Sequence, residues 1–258
     1  MRPSSEASEF WAEAATLGRA LVAALDYGRL LGFPGLPVQL PHLPPAAGPE
    51  TAARPVGGSI DPGTPAHWAK AARDLARLAG LAAGCRACPR GRARSGDPAF
   101  GRGSDQPLLV LVGPDPGLYE GPEADLLAAI LEKGLKLDPA GFYITSVLKC
   151  PAGPEESRAE LAEALSACLA ITLRELTLLT PRVVLALGET PGRVLAGRPE
   201  TPLGLLRGQA YRLEDPPGAW LRVTFSLEQL LAAPDLKLEA WKDFRKVKNG
   251  LDKLICDS

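Results

Sequence analysis

Four cysteines have the most distinctive spacing in this sequence. Cys85 and Cys88 are separated by two residues, so a tight turn can direct both sulfur atoms to one point. Cys150 closes a strand-like run, and Cys168 lies on a helix-like run over residues 161–179. Four thiolates of this kind suit an iron–sulfur cluster or a zinc ion. The alternative is that Cys150 and Cys168 are ordinary buried cysteines, which pack well in protein cores.

The composition indicates a chain that works in a reducing compartment. Among its 258 residues are five cysteines, an odd number, and its first residues lack the apolar segment of a secretory signal. We therefore expect a cytoplasmic protein with a metal site and no disulfides. No apolar run reaches the roughly 18 residues that a membrane span needs, so we expect no membrane contact. The formal net charge is −1, so binding to nucleic acid would require a local basic patch.

Three segments of the chain differ in composition. Residues 1–31 have apolar side chains at helical spacing, which predicts an N-terminal helix that could bind a protein partner. Residues 32–65 are rich in Pro, Gly and Ala and are typical of a linker. We expect the compact domain over residues 66–254, beginning with a helix over 67–83 that leads into Cys85. We also expect the protein to be a monomer.

Strand-like and helix-like runs alternate through the compact domain. The predicted strands cover residues 108–112, 142–148, 183–187, 211–213 and 220–225, and the predicted helices cover 124–133, 154–179, 191–195 and 238–254. This alternation predicts a three-layer α/β/α fold around a central, mainly parallel four-stranded sheet, with a helical N-terminal extension. The first of these strands runs into a loop of glycines and prolines over residues 113–117. Open parallel sheets present their ligand sites in such loops, at the carboxyl ends of the strands.

Several short motifs occur in a fixed order along this domain. They are Cys85-x2-Cys88, Phe100-Gly101-x-Gly103, Gly113-x-x-Pro116-Gly117, Tyr143-Ile144-Thr145, Lys149-Cys150, Cys168, the run 181–188, Leu206-Arg207-Gly208 and Trp241-Lys242-Asp243-Phe244. The ordered set resembles the iron–sulfur uracil-DNA glycosylases, the fourth family of that superfamily, over about residues 70 to 250. The resemblance implies a [4Fe–4S] cluster bound by Cys85, Cys88, Cys150 and Cys168, with zinc as the alternative. It also implies binding of DNA and hydrolysis of the glycosidic bond of a flipped-out uracil.

The active-site positions implied by the resemblance depart from the family pattern. Gly113 and Gly117 keep the base-binding loop, but the aromatic residue on which uracil stacks is missing from the shortened segment that follows. Ser146 stands where the family has an Asn that reads the base edge. The Asn amide offers a hydrogen-bond donor and an acceptor together, whereas Ser146 offers a single hydroxyl. Ser226 stands where the family has a His that stabilises the departing base, and its hydroxyl is shorter than an imidazole.

Asp115, in contrast, adds a functional group to the site. It places a carboxylate where the cluster-free uracil glycosylases carry their water-activating Asp, so it is the candidate catalytic residue, with Ser226 as a second candidate. The alternative is that Asp115 only caps the turn between two prolines.

Arginines surround the first cysteine pair. Arg86, Arg90, Arg92 and Arg94 are predicted to contact DNA phosphates, as is Arg207 in the later Leu-Arg-Gly motif, and Arg102 and Lys149 could extend the basic face. The alternative is a solvated loop surface without a partner.

The sequence is therefore compatible with three functions. The first is a DNA-repair glycosylase that hydrolyses the N-glycosidic bond of a deaminated base. The second is a nucleoid-associated [4Fe–4S] protein that binds DNA but has lost the chemistry. The third is a redox or structural cluster protein whose N-terminal helix recruits a partner. A filled pocket among Asp115, Ser146 and Ser226 would favour the second.

Overall fold

The computed structural model describes residues 64–256 of the chain. The predicted N-terminal helix over residues 1–31 lies outside the described residues, as does the predicted linker up to residue 63. Among the described helices, none combines the length and apolar character that crossing a membrane requires.

A six-stranded sheet forms the centre of the domain, in the spatial order β1-β3-β2-β4-β6-β5. The strands are β1 (Arg102–Gly103), β2 (Leu109–Gly113), β3 (Phe142–Ser146), β4 (Val183–Leu187), β5 (Tyr211–Arg212) and β6 (Trp220–Thr224). The four central strands are parallel, while β1 and β5 pair antiparallel at the two edges. The predicted α/β architecture with a mainly parallel sheet is confirmed. The sheet has six strands instead of four, because the short antiparallel strands β1 and β5 extend it at the two edges.

Helices connect the strands and cover both faces of the sheet. They are α1 (Pro65–Trp68), α2 (Leu75–Ala83), α3 (Pro89–Ala93), α4 (Gly121–Ala128), α5 (Arg158–Leu179), α6 (Glu189–Ala196), α7 (Leu203–Leu206), α8 (Leu227–Ala232) and α9 (Leu236–Cys256). Short 3-10 turns follow α1 over Ala69–Ala71, follow β2 over Pro116–Tyr119 and precede β3 over Pro139–Gly141, and a π-helical turn over Ala129–Gly134 continues α4.

Two helix boundaries differ from the sequence prediction, and local caps explain both. The predicted helix over 67–83 is interrupted at Asp74. The Asp74 side chain accepts a hydrogen bond from the backbone N–H of Arg77 and so acts as the N-cap of a new helix, α2. The helix predicted from residue 154 begins at Arg158, because Ser157 and Glu160 form a reciprocal capping box there.

The core has one apolar layer on each face of the sheet. All five residues of β2 and of β4 are buried, as expected for central strands covered on both faces. Leu176 and Leu206 belong to the cluster on one face. Leu127 and Phe244 belong to the cluster on the other. The carboxyl ends of the four parallel strands are thereby fixed along one edge, where the candidate site lies.

Candidate functional site

The four predicted metal-binding cysteines lie together in the structure. Cys88 caps the amino end of α3, Cys150 follows β3, and Cys168 lies within α5. The thiols of Cys85 and Cys88 interact electrostatically with that of Cys150, which in turn acts on Cys168. The fold therefore brings together four sulfur atoms from segments that are far apart in the sequence.

The surroundings of these thiols combine apolar side chains with a few basic groups, since Arg94 and Arg90 act electrostatically on Cys150 and Lys149 acts on Cys168. Burial is the main cause that raises the pKa of the Cys168 thiol to about 11, and it also raises the pKa of Cys150. The backbone of Lys149 donates a hydrogen bond towards Cys168, and the N–H of Gly91 lies 3.4 Å from the Cys88 sulfur. Thiols buried in this way ionise readily only when a bound cation compensates their charge. The donor set therefore fits a thiolate-bound metal centre.

Within residues 64–256, no group of three or more His, Cys, Asp or Glu side chains is arranged as a site for a metal ion. The observation that relates the four cysteines to one another is the electrostatic interaction among their thiols.

Arg90 is directed into the protein. Its side chain is buried and makes two hydrogen bonds to the Glu156 carboxylate, of 2.6 and 2.7 Å, and a third to the carbonyl of Cys150 at 3.0 Å. A cavity of about 290 Å³ beside it is lined by Glu155, Glu156 and Glu160, so the surface on this side is acidic. The guanidinium therefore ties the cysteine loop to the segment before α5.

The other predicted phosphate-binding arginines of the cysteine loop divide into two groups. Arg94 donates to the carbonyls of Ala83 and Gly96, so it too braces the loop from within. Arg86 and Arg92 have exposed side chains. Arg86 retains one hydrogen bond, of 2.8 Å, to the Gly91 carbonyl, and the exposed ion pair of Arg92 with Glu163 measures 3.1 Å. Of these loop arginines, Arg86 and Arg92 are the two that are exposed to solvent.

Lys149 was expected to extend the basic face, and that expectation is wrong. The side chain is 1% exposed, and its Nζ lies 2.5 Å from Oε2 of Glu175, which is fully buried. Nζ also donates to the Thr145 hydroxyl at 2.8 Å and to the Ser146 carbonyl at 2.6 Å. The ion pair of Lys149 and Glu175 therefore lies inside the domain, between the cysteines and the end of β3.

The candidate base-binding residues lie at the carboxyl ends of the parallel strands. Gly113 is in register with Ser146. The Ser146 hydroxyl is fully buried and donates its proton to the Leu148 carbonyl at 2.7 Å. A side chain on Gly188, the residue after β4, would collide with Ser226, since a Cβ there would lie 2.9 Å from the Ser226 Cβ. The glycine thus allows the loop after β6 to approach the site closely.

Ser226 and Asp115 both cap helical turns. The Ser226 oxygen accepts a 3.2 Å hydrogen bond from the N–H of Gln229 and starts α8. Asp115 Oδ1 accepts from the N–H of Gly117 at 3.0 Å, which puts Gly117 in the turn after β2. The Oδ2 atom of Asp115 lies 3.7 Å from Nη1 of Arg90, and the side chain is 33% exposed. A water molecule can therefore still reach the Asp115 carboxylate.

Other carboxylates lie close to Asp115. Burial, followed by the charges of Asp115 and then Glu228, raises the pKa of Glu123 near the start of α4. These carboxylates add negative charge around Asp115, where the Arg90 guanidinium is a nearby positive charge. Negative charge at this point would favour a cationic sugar but oppose the departure of a base as an anion.

Tyr119 is a site residue that the sequence reasoning missed. It ends the turn after β2, and its hydroxyl is buried beside Thr145, Ser146 and the Glu175 carboxylate. Burial raises its pKa to about 12, although the nearby Ser146 and Thr145 hydroxyls act in the opposite direction. None of its neighbours in the described part of the chain meets the distance and angle of a hydrogen bond to the Tyr119 hydroxyl. Arg102 stacks over its ring, 5.0 Å from the centroid. Tyr119 thus fills space next to the residue aligned with the base-reading Asn. The signal available in the sequence was that it is the one aromatic residue between Gly113 and Gly121.

The unpaired Tyr119 hydroxyl leads to a stability prediction. A buried polar group without a partner costs about 1–3 kcal/mol, so Tyr119→Phe is expected to raise the free energy of unfolding by about 1 kcal/mol. Tyr143→Phe is the matched control, because the Tyr143 hydroxyl donates to Glu175 at 3.0 Å and its loss should destabilise the protein. Urea unfolding of both variants measures the two changes. A stability loss of similar size in both would show that the Tyr119 hydroxyl has a partner.

Arg207 lies on the side of the site that is formed by the loop after β6. Its Nε and Nη2 lie 2.9 and 2.8 Å from Oδ2 of Asp243, and the guanidinium stacks 3.8 Å above the ring of Phe225. Asp243 also accepts a hydrogen bond from the Thr224 hydroxyl at 2.9 Å. The Leu-Arg-Gly motif therefore braces the loop after β6, and the Arg207 side chain is only 16% exposed.

Comparisons with known proteins agree with this architecture. The family model described as the uracil DNA glycosylase superfamily matches residues 100–245. A type-4 uracil-DNA glycosylase of Pyrobaculum aerophilum is 29% identical over 201 residues, which cover 70% of this chain and 97% of the relative. The family match takes in all six strands and two of the four cysteines. The chain belongs to the uracil DNA glycosylase superfamily.

Proposed function

We propose that this protein is an iron–sulfur, DNA-binding member of the superfamily that does not excise uracil. The observation that carries the proposal is Tyr119, whose hydroxyl is buried beside Ser146 where a base edge would have to enter. Ser146 cannot compensate, because its only proton is donated to the Leu148 carbonyl.

The electrostatics of the site support the same conclusion. Uracil leaves as an anion, and a donor aimed at its oxygen typically accelerates the reaction by about 100- to 1,000-fold. Ser226 stands at the position of that donor, but its oxygen is held in the cap of α8. The carboxylates of Asp115, Glu123 and Glu228 would also repel the leaving base.

We further propose that Cys85, Cys88, Cys150 and Cys168 bind a [4Fe–4S] cluster. When bound, such a cluster crosslinks the cysteine loop, the segment after β3 and helix α5. The internal hydrogen bonds of Arg90 and Arg94 hold the same loop in place. In this proposal the metal centre is structural, in a cytoplasmic protein whose compact domain covers residues 66–254.

DNA binding should depend on the exposed arginines of the cysteine loop. The double variant Arg86→Ala/Arg92→Ala is expected to weaken binding to a fluorescently labelled duplex about tenfold. The slope of log K against log salt should fall by about 1 for each lost phosphate contact. Arg245→Ala, which removes an exposed cation of α9 away from the cysteine loop, is the control and should change little. If the double variant binds DNA as tightly as the unaltered protein, the proposed role of Arg86 and Arg92 in DNA binding is wrong.

Excision of a base is the second candidate function, and Asp115 is the observation that favours it. Its carboxylate is partly exposed at the carboxyl end of β2, where it could orient a water molecule or stabilise a cationic sugar. This alternative requires Tyr119 to leave the pocket when DNA binds. A uracil excision assay separates the two functions.

A further inference from the structure

A surface groove lies far from the candidate site, at the amino ends of the strands. Its volume is about 380 Å³, and it separates the sheet from the second half of α9. Val183 and Trp220, the first residues of β4 and β6, line it on the sheet side. Val247 lines it on the helix side. Because the DNA-binding site is proposed at the opposite ends of these parallel strands, a ligand could occupy the groove while DNA is bound.

The groove is lined by apolar side chains and by positively charged side chains. Val183 and Val247 are buried aliphatic side chains, and the Trp220 indole is 38% exposed. Arg222, Lys246 and Lys253 also line the groove, which has no lining carboxylate. Within residues 64–256, none of these three cations has an acidic partner at ion-pair distance. The groove therefore complements a ligand that carries both an apolar group and negative charge.

Gly250 keeps the groove open. It lies inside the 21-residue helix α9, where glycine is less favourable than alanine. Close packing does not require it, since a Cβ at this position would meet no atom within 4 Å. The open space above it belongs to the groove. A side chain here would fill the groove without disturbing the core.

We propose that this groove binds an acidic peptide segment of a partner protein, with an apolar side chain of the peptide seated between Val183 and Val247. Charge complementarity with Arg222, Lys246 and Lys253 is the basis for the acidic character. A nucleic acid strand is the less suitable ligand, because Arg212 already stacks on the Trp220 indole, 4.6 Å from the ring centroid. The aromatic face that a base would use is thereby covered on one side.

Synthetic peptides test the proposal with the full chain. The probe is a fluorescein-labelled peptide of Asp and Glu residues with a central Leu-Phe pair, and its binding is measured by fluorescence anisotropy. The peptide should bind in a salt-dependent way, and replacing Leu-Phe by Ala-Ala should weaken binding about tenfold, equivalent to about 1.4 kcal/mol. Gly250→Leu and Lys246→Glu/Lys253→Glu should each weaken binding at least about tenfold. Lys237→Glu, an exposed cation of α9 outside the groove, should leave it unchanged.

Three outcomes would overturn the proposal. The peptide could fail to bind, or Gly250→Leu could bind it as tightly as the unaltered protein. Alternatively, an oligothymidine strand could bind more tightly than the peptide and lose affinity with the same variants, which would make the groove a nucleic-acid site. Circular dichroism melting of each variant checks that the fold is intact. Gly250→Ala, which improves helix propensity with little added bulk, should melt no lower than the unaltered protein and should still bind the peptide.

Discussion

Replacing Cys168 with serine is expected to abolish iron binding and to lower the free energy of unfolding by more than about 4 kcal/mol, the range in which loss of a metal centre falls. Cys168 lies on α5, while Cys85 and Cys88 lie on the loop between α2 and α3. A cluster shared by these segments would hold two parts of the domain together. Without it, the remaining thiols are buried among apolar side chains with no bound metal to stabilise their ionised forms.

The fifth cysteine supplies a matched control. Cys256→Ser should retain the iron, the broad visible absorption and the stability of the unaltered protein, all measured on anaerobically purified samples. Urea unfolding gives the stability, and elemental analysis gives the iron content. If unaltered protein contains no iron, or if Cys168→Ser keeps its iron and its stability, the cluster proposal is wrong.

Breaking the buried ion pair should have the second large effect. Lys149→Met is expected to lower the free energy of unfolding by about 3–5 kcal/mol, because it leaves the Glu175 carboxylate buried without its cation. The carboxylate would keep hydrogen bonds from the Tyr143 hydroxyl at 3.0 Å, the Thr145 hydroxyl at 2.7 Å and the N–H of Gly101 at 3.2 Å. These donors fix its position but cannot replace a positive charge.

Two further variants make this prediction specific. Lys149→Met/Glu175→Gln should recover much of the lost stability, since it removes both charges and leaves an amide that can still hydrogen-bond. Lys248→Ala removes a partner from the exposed ion pair with Asp252 and should cost no more than about 0.5 kcal/mol. Equal losses in Lys149→Met and Lys248→Ala would contradict the buried character of the first pair.

The sheet could be predicted from the sequence because its signals are local. The buried strands β2 and β4 are continuous apolar runs, and the strand pair β5–β6 is separated by a Pro- and Gly-rich turn. The helix boundaries were less accurate, since the caps at Asp74 and Ser157 decide where α2 and α5 begin. Such a cap depends on a single side chain, which carries little weight in a periodic pattern.

The candidate site was harder to predict because its decisive contacts join distant residues. Lys149 looked like part of a basic patch, but its partner Glu175 is 26 positions away on α5. Arg90 looked like a phosphate ligand, but it binds Glu156, 66 positions away. The role of Tyr119 depends on how a shortened loop folds over Thr145 and Ser146, which residue types alone do not reveal.

The most direct measurement of the central claim is a single-turnover uracil excision assay. Protein with its cluster intact is mixed in excess with single-stranded and duplex oligonucleotides that contain one uracil, with the Pyrobaculum aerophilum relative as the positive control. We predict binding of both oligonucleotides without release of uracil, in the unaltered protein and in Asp115→Asn alike. Excision by the unaltered protein that Asp115→Asn abolishes would contradict the proposal and establish Asp115 as the catalytic residue of an active glycosylase.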